Sequence, residues 1–461
     1  MTDLTAALSK ADSNLDASLE RLCELVRIKS ISTDPAYAPE CRKAAQWLVD
    51  RLNELGFSAS IRDTPGHPMV VAHHDGPQGA PHVLFYGHYD VQPVDPIALW
   101  SSDPFQPEIR EVSPGRKAIF GRGTSDDKGQ LMTFVEACRA YKETHGSLPC
   151  RVSFLFEGEE ESGSTSLKPF LQANADELKA DLAMVCDTGM WDAQTPAISV
   201  SLCGLTGEEI TVKAANRDLH SGHYGGAAAN PIHILTRILA DMHDNDGRVT
   251  IANFYDGVKE TPEDIKAMWD GLGRTAEDFL ADIGLSIPSG EKGRSLLELT
   301  WARPTAEVNG ITGGYTGEGF KTVIAAEASA KVSFRLVGDQ DPDAIRANFR
   351  EFVKQRIPAD CSVTFTKHGT SGAIHLPFDL PELVKAKAAL QEEWGKPTAI
   401  IGMGGSIPIV GDFQARLGMQ SLLVGFALED DCIHSPNEKY DVRSFHKGVR
   451  SWIRIMDALA K

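Results

Sequence analysis

His88 stands at the end of an apolar run at 82–86, and Asp90 follows two residues later, within Gly87-His-Tyr-Asp-Val-Gln-Pro93. Asp126 and Asp127 close the glycine-rich stretch Gly121-Arg-Gly-Thr-Ser-Asp-Asp-Lys-Gly129. Further on come Glu159, Glu160 and Glu161 ahead of Ser-Gly, Asp187 after an apolar run at 182–186, and His434 in a late loop. Imidazole and carboxylate donors without thiolate are a ligand set for zinc, and equally for manganese or cobalt. Five side chains serving two ions through one shared carboxylate leave coordination positions open for water, which marks a catalytic rather than a structural site. One of the two adjacent aspartates, flanked by the others, is placed to be that bridge. One carboxylate of the glutamate run then stays off the ions as the base that takes a proton from water. Asp90 shares a face with His88 in an extended segment, so it can hold the imidazole's second nitrogen. Taken singly, each residue has an ordinary role as core histidine, helix cap or turn former. Together they converge on one chemistry.

The elements that must position this set follow from periodicity. Helical spacing of apolar residues covers 4–28, 38–55, 128–143 and, more briefly, 164–175. Short apolar runs at 58–62, 69–73, 82–86, 151–156, 182–186 and 421–424 predict strands, and 91–120 is a long Pro- and Gly-bearing excursion. Repeated strand–helix–strand units imply an α/β fold, a mainly parallel sheet flanked by helices with right-handed crossovers. In such sheets ligands bind beyond the carboxyl ends of the strands. The strands at 82–86, 151–156, 182–186 and 421–424 lead into His88, the glutamate run, Asp187 and His434. All four therefore belong to one rim, which Asp126 reaches from the head of a helix.

Between residues 200 and 375 the texture changes to alternating strands (208–214, 326–336, 362–366) and amphipathic helices (231–242, 342–356), the α+β pattern of a sheet with one covered face. The first texture then returns, with a helix at 381–394, a glycine-rich turn at 402–406 and a closing helix at 440–459. The reading is a catalytic domain in two parts, 1–199 and 376–461, with an inserted domain at 200–375. Residues 244–300, rich in acidic residues, Gly and Pro, match no recognisable pattern.

Composition bounds the function classes. At 461 residues, 42 % hydrophobic and 24 % charged, the chain is globular and long enough for two cores. A net charge of −18 with no basic stripe excludes a nucleic-acid surface. The eight cysteines form no CxxC pair and several lie in apolar runs, as expected of a reducing compartment. No run of about 18 apolar residues spans a membrane, and the first residues carry no secretory pattern, so the expected location is cytoplasmic.

His88-x-Asp90, Gly121-Arg-Gly-x-x-Asp126-Asp-Lys-Gly129, Glu160-Glu-Ser-Gly163, Asp187 and His434 together resemble the M20 metallopeptidases, in particular the cytosolic nonspecific dipeptidase and carnosinase branch. Asp218-Leu-His-Ser-Gly222, Ser333-Phe-Arg-Leu-Val337, Gly404-Gly-Ser-Ile-Pro408 and His434-Ser-Pro-Asn-Glu-Lys439 support that branch. The resemblance implies that Asp126 bridges two ions, that His88 and Asp187 complete one site, and that Glu161 and His434 complete the other. It implies Glu160 as general base, Asp90 as orienting carboxylate, and a cis peptide bond between Asp126 and Asp127. It implies that the inserted domain is a lid and dimerisation domain. His220 then reaches the neighbouring subunit's site to stabilise the oxyanion, and Arg335, with Ser406 and Gly405 of the glycine-rich turn, binds the substrate's terminal carboxylate. Because the run holds three glutamates, a one-residue shift of register is an alternative.

The function these readings imply is a cytoplasmic, homodimeric two-metal hydrolase. It would cleave dipeptides or short peptides through a metal-bridging water with a glutamate base, zinc being the expected metal and manganese or cobalt the alternatives. An N-acyl-amino-acid deacylase with the same centre is the nearest rival. A non-enzymatic binder and a two-metal phosphoesterase are more distant ones, the latter for want of basic residues to hold phosphate.

Overall fold

The computed structural model describes residues 3–281, 283–404 and 407–461, so Gly405 and Ser406 lie outside the described residues. The chain forms two compact units, one of Met1–Val200, Leu376–Ile401 and Asp412–Lys461, the other of Ser201–His375 and Gly402–Gly411. The turn beginning at Gly402 was expected with the first unit. It groups with the second because the Met403 carbonyl accepts the Cys203 N–H at 3.2 Å and Gly402 lies hard against Trp301, leaving no room for a Cβ.

In the first unit the sheet runs in the order Ser58–Arg62, Met69–His74, Arg151–Glu157, His82–His88, Leu182–Val185, Gln420–Leu423, Ala197–Leu202. The four middle strands, from Arg151–Glu157 to Gln420–Leu423, are mutually parallel. The flanks are antiparallel. The short link between Arg62 and Met69 can join only antiparallel neighbours, since a parallel crossover needs a dozen or more residues. Every residue of His82–His88 is buried, as expected where helices cover both faces. Helix Lys128–His145 is buried along most of its length and ends at Gly146, φ 76°, the left-handed stop that glycine tolerates. Phe134 on this helix stacks on Phe85 of the sheet at 4.1 Å and meets Trp452 of helix Val442–Leu459 at 5.2 Å. Truncating Phe134 to Ala would cost about 3–5 kcal/mol.

Two local expectations change. The helix expected over 4–28 is two helices, Leu4–Ser13 and Leu15–Val26; the break falls at Asn14, a weak helix former whose amide donates to Glu143 at 3.0 Å instead. The excursion at 91–120 contains a hairpin, Glu108–Ser113 with Arg116–Phe120, and strand Lys439–Asp441 adds to it with Lys439 opposite Phe120. That pairing brings the loop around His434 alongside the turn that carries Asp126.

The second unit is a four-stranded antiparallel sheet in the order Thr305–Gly313, Glu327–Leu336, Gly204–Lys213, Ser362–Ser371. Burial alternates strictly along Gly204–Lys213, so one face packs under helices Pro231–Ala240 and Pro342–Lys354 around Ile210, Leu235, Phe334 and Phe349. The uninterpreted stretch 244–300 holds helices Glu263–Gly271, Ala276–Ala281 and Leu296–Trp301. A buried ion pair, Arg303 to Glu291 at 2.9 Å, ties it to the edge strand that follows.

Candidate metal centre

His88 is the last residue of its strand and is wholly buried. Its Nε2 lies 3.0 Å from Asp126 Oδ1, and its Nδ1 lies 3.1 Å from the Asp90 carbonyl oxygen and 3.4 Å from Asp90 Oδ1. The other oxygen of Asp126, Oδ2, lies 2.8 Å from His434 Nε2, which in turn is 3.2 Å from Glu161 Oε2. Donor atoms of His88, Asp126 and Asp187 fall within 4.8 Å of one another, and so do those of Asp126, Glu161 and His434. Two triads thus share one carboxylate. The parallel strands explain the convergence: adjacent strands of one direction end on one rim, and each delivers its next polar residue there.

The charge pattern fits cations. Burial, and then the charge of Asp126, pushes the Asp187 carboxyl well above the usual range. Burial pulls His88 down, but hydrogen bonds to Asp126 and Asp90 outweigh it and hold the imidazole well above its ordinary value. Hydrogen bonds to Asp126 and Glu161 lift His434 to about 10. Protons are drawn to this cluster because carboxylates crowd it, and divalent ions on the same nitrogen and oxygen donors relieve that repulsion more completely. Glu160 is half-buried beside the triads, and burial raises its carboxyl.

The glutamate run separates in space. Glu159 is buried and accepts the backbone N–H of His67 at 2.7 Å and of Ser166 at 2.8 Å, which pins the turn. Glu161 faces His434 and also accepts from Gln92 Nε2 at 2.7 Å. Asp90 does more than sit behind His88. Its carboxylate accepts the N–H groups of Glu160 at 3.3 Å and Glu161 at 3.0 Å, so it spans the histidine and the turn.

Asp126 precedes helix Lys128–His145, and the Asp126–Asp127 peptide bond is cis. Gly129 permits the helix to start here, since a Cβ would run into the Thr124 carbonyl and the Tyr440 ring. Asp127 turns inward, and its Oδ2 accepts the His88 N–H at 3.1 Å. His434 itself adopts φ 62°, a left-handed backbone uncommon outside glycine that persists where the surroundings impose it. Two buried carboxylates in this loop, Asp431 and Glu438, hold the Asp126 turn, and reading the residues singly missed both. The only signal was the motif His434-Ser-Pro-Asn-Glu-Lys439, which contains Glu438.

The remaining expected residues belong to the second unit. His220 pairs with Val323 in a two-residue bridge and is exposed. Its Nδ1 accepts the Gly222 N–H at 3.0 Å, which places the ring proton of the neutral imidazole on Nε2. Arg335 lies near the end of strand Glu327–Leu336, opposite Thr305 and Leu205. It lines a cavity of about 420 Å³ with Phe279, Leu299, Trp301 and Gly404. Among the described residues no carboxylate neutralises its guanidinium.

Residues 84–458 match peptidase family M20/M25/M40. The chain is 30 % identical over 465 residues to the Cys-Gly metallodipeptidase of Schizosaccharomyces pombe, covering 97 % of each. It is 26 % identical over 475 residues to the beta-Ala-His dipeptidase of Rattus norvegicus, covering 98 % of this chain and 94 % of that one. The solved structure of the dipeptidase Dug1p of Saccharomyces cerevisiae superposes with a TM-score of 0.74 at 26 % identity, over 99 % of this chain and 98 % of that one. No described helix is long and apolar enough to cross a membrane.

Proposed function

Because the chain belongs to peptidase family M20/M25/M40 and is a metallopeptidase, we propose that it is a dipeptidase working through a two-ion centre at the rim of its parallel sheet. The observation that carries this reading is the pair of triads sharing Asp126. His88 and Asp187 would hold one ion and Glu161 and His434 the other, with Asp126 serving both. Bound there, divalent ions, zinc first and manganese or cobalt in its place, supply Lewis acidity to the scissile carbonyl and to water.

The chain's own residues do the rest. Glu160 takes the proton of the attacking water and passes it to the leaving amine; its burial, which raises its affinity for protons, suits that exchange. The Glu161 side chain is engaged by His434 and Gln92, which leaves Glu160 as the carboxylate for this task. His220 donates through Nε2 to the developing oxyanion, the tautomer enforced by Gly222. Arg335 offers a planar fork to the terminal carboxylate from a cavity it shares with Arg274, Arg303 and several apolar side chains, with Ser406 and Gly405 as neighbours in sequence of Gly404. The protein acts as a homodimer through the second unit, in which His220 serves the partner's centre. Strand Thr305–Gly313, the edge of its sheet, exposes Val308 at 41 % and Ile311 at 57 % and suits pairing with a second copy. Free cysteines, six of them buried, suit a cytoplasmic location.

The test is hydrolysis of a dipeptide panel and of the matching N-acetyl amino acids by metal-stripped protein with zinc, manganese or cobalt restored in turn. Metal-dependent cleavage of dipeptides alone supports the proposal, and acetyl turnover alone moves the chain to the deacylases. Glu160→Ala should lose turnover while retaining both ions, and a variant near wild type would remove Glu160 from its role.

A further inference from the structure

The motif His434-Ser-Pro-Asn-Glu-Lys439 contains a carboxylate that the reaction leaves unused. Glu438 is fully buried, and both of its oxygens are engaged twice. Oε2 accepts from Arg122 Nη1 at 2.7 Å and from the Gly123 N–H at 2.9 Å; Oε1 accepts from the Ser125 N–H at 2.9 Å and the Asp126 N–H at 3.1 Å. Four donors from one turn therefore converge on one side chain more than 300 positions away in sequence. Seven residues earlier in the same loop, Asp431 accepts from Ser125 Oγ at 2.9 Å and from Lys439 Nζ at 2.9 Å. His434 sits between these two anchors, with its Nε2 on Asp126.

We propose that Glu438 is the positioning residue of the metal centre: by binding the backbone of the Asp126 turn it aims the shared carboxylate and locks it in register with His434. The physical case rests on three features. A buried carboxylate with four N–H donors is fully satisfied, so it holds the turn in one conformation rather than several. Gly123, at φ 83°, lets the chain curl so that successive N–H groups point inward, forming a concave anion nest that needs an acceptor at its centre. And because one loop supplies both the anchor and His434, Asp126 and His434 are set relative to each other before any ion binds, while Asp187 and Glu161 come from separate strands. Glutamine cannot replace this carboxylate, since its NH₂ group would face two N–H donors. Aspartate keeps the charge and falls one methylene short.

This inference rests on Asp126 as the shared ligand, and ion binding without substrate tests it. Metal-stripped wild type, Glu438→Gln and Glu438→Asp are titrated with cobalt(II) against a competing chelator, recording affinity and the visible d–d spectrum, with far-ultraviolet circular dichroism to report folding. Glu136→Gln serves as control; Glu136 is a similarly buried carboxylate on helix Lys128–His145, paired with Arg21 at 2.6 Å. The expected result is a loss of cobalt affinity of about 10–100-fold in Glu438→Gln, the scale for removing a residue that orients a ligand. An altered spectrum should accompany it, with a smaller loss in Glu438→Asp and none in Glu136→Gln. Turnover of Glu438→Gln should recover towards wild type at saturating metal with KM unchanged. Wild-type affinity and spectrum in a folded Glu438→Gln overturn the proposal, as does an equal loss in Glu136→Gln. Should Glu438→Gln not fold, Glu438→Asp decides alone by the same readings. Failure of wild type to bind two ions would instead sink the two-ion reading itself, so the two failures are distinguishable.

Discussion

Strand His82–His88 carries a buried histidine at each end, and the two have opposite fates. Burial, and then Arg151, pulls the His82 imidazole down to about 4. Its Nε2 shares the Ser153 hydroxyl with His73, each at 2.7 Å. At the other end, Asp126 and Asp90 overcome the same burial and hold His88 well above its ordinary value. Neither residue type nor burial separates them. What differs is the company: the carboxyl ends of four parallel strands collect Asp90, Asp126, Asp187 and Glu161, whereas at the amino end His82 meets a hydroxyl, an arginine and the one carboxylate of Asp181, which accepts its backbone N–H at 2.8 Å and is outweighed by burial and Arg151. A histidine among carboxylates is poised to hold a cation, and one beside a hydroxyl is a packing group.

Four substitutions test this contrast. His88→Ala should show the largest effect, abolishing turnover with loss of one of two bound ions, measured by metal content after dialysis. Asp90→Asn should come next. It removes charge from the carboxylate that spans His88 and the Glu160 and Glu161 N–H groups, for about 10–100-fold in metal affinity or turnover. A value within twofold of wild type would reduce Asp90 to a packing residue. Ser153→Ala at the opposite end should leave kcat and KM unchanged and lower unfolding free energy by about 1–3 kcal/mol, since the buried His82 ring and the half-buried His73 ring lose their shared partner. Any fall in kcat there would break the division of the strand into a working and a packing end.

His82→Gln should have the smallest effect, visible only in the pH dependence of stability. Unfolded, this imidazole takes a proton near its ordinary value of 6.5; folded, it resists until about 4. The unfolded chain binds more protons in that window, so stability falls as pH drops from about 6.5 and levels off below about 4. Glutamine should flatten that limb in thermal melts. An unchanged acid limb would assign the loss to other groups.

Much of the rim was readable because it obeys a local rule: an apolar run followed by a polar residue marks a strand end. His88, Asp187 and the glutamate turn follow that rule, and Asp126 follows the helix-head version of it. Where a strand carries little apolar pattern of its own the reading was poorer. Hairpin Glu108–Ser113 with Arg116–Phe120 and edge strand Thr305–Gly313 have weak apolar alternation of their own, and partners complete them. The break at Asn14 depends on a contact with Glu143 that no helical period reveals. The division of labour within Glu159, Glu160 and Glu161 also came from space, through the N–H groups of His67 and Ser166 that occupy Glu159.

By itself, the amino-acid sequence determined the candidate donor residues, the parallel strands that carry them and the change of texture near residue 200, because side-chain chemistry and hydrophobic periodicity act over a few residues. Only the tertiary structure decided which oxygen of Asp126 meets which histidine, that Asp90 spans two elements, and that Glu438 grips a turn lying more than 300 residues earlier. Those are hydrogen bonds between segments distant along the chain. Their partners become neighbours only after the sheet has closed, and no local pattern of residues encodes which carboxylate will find which N–H.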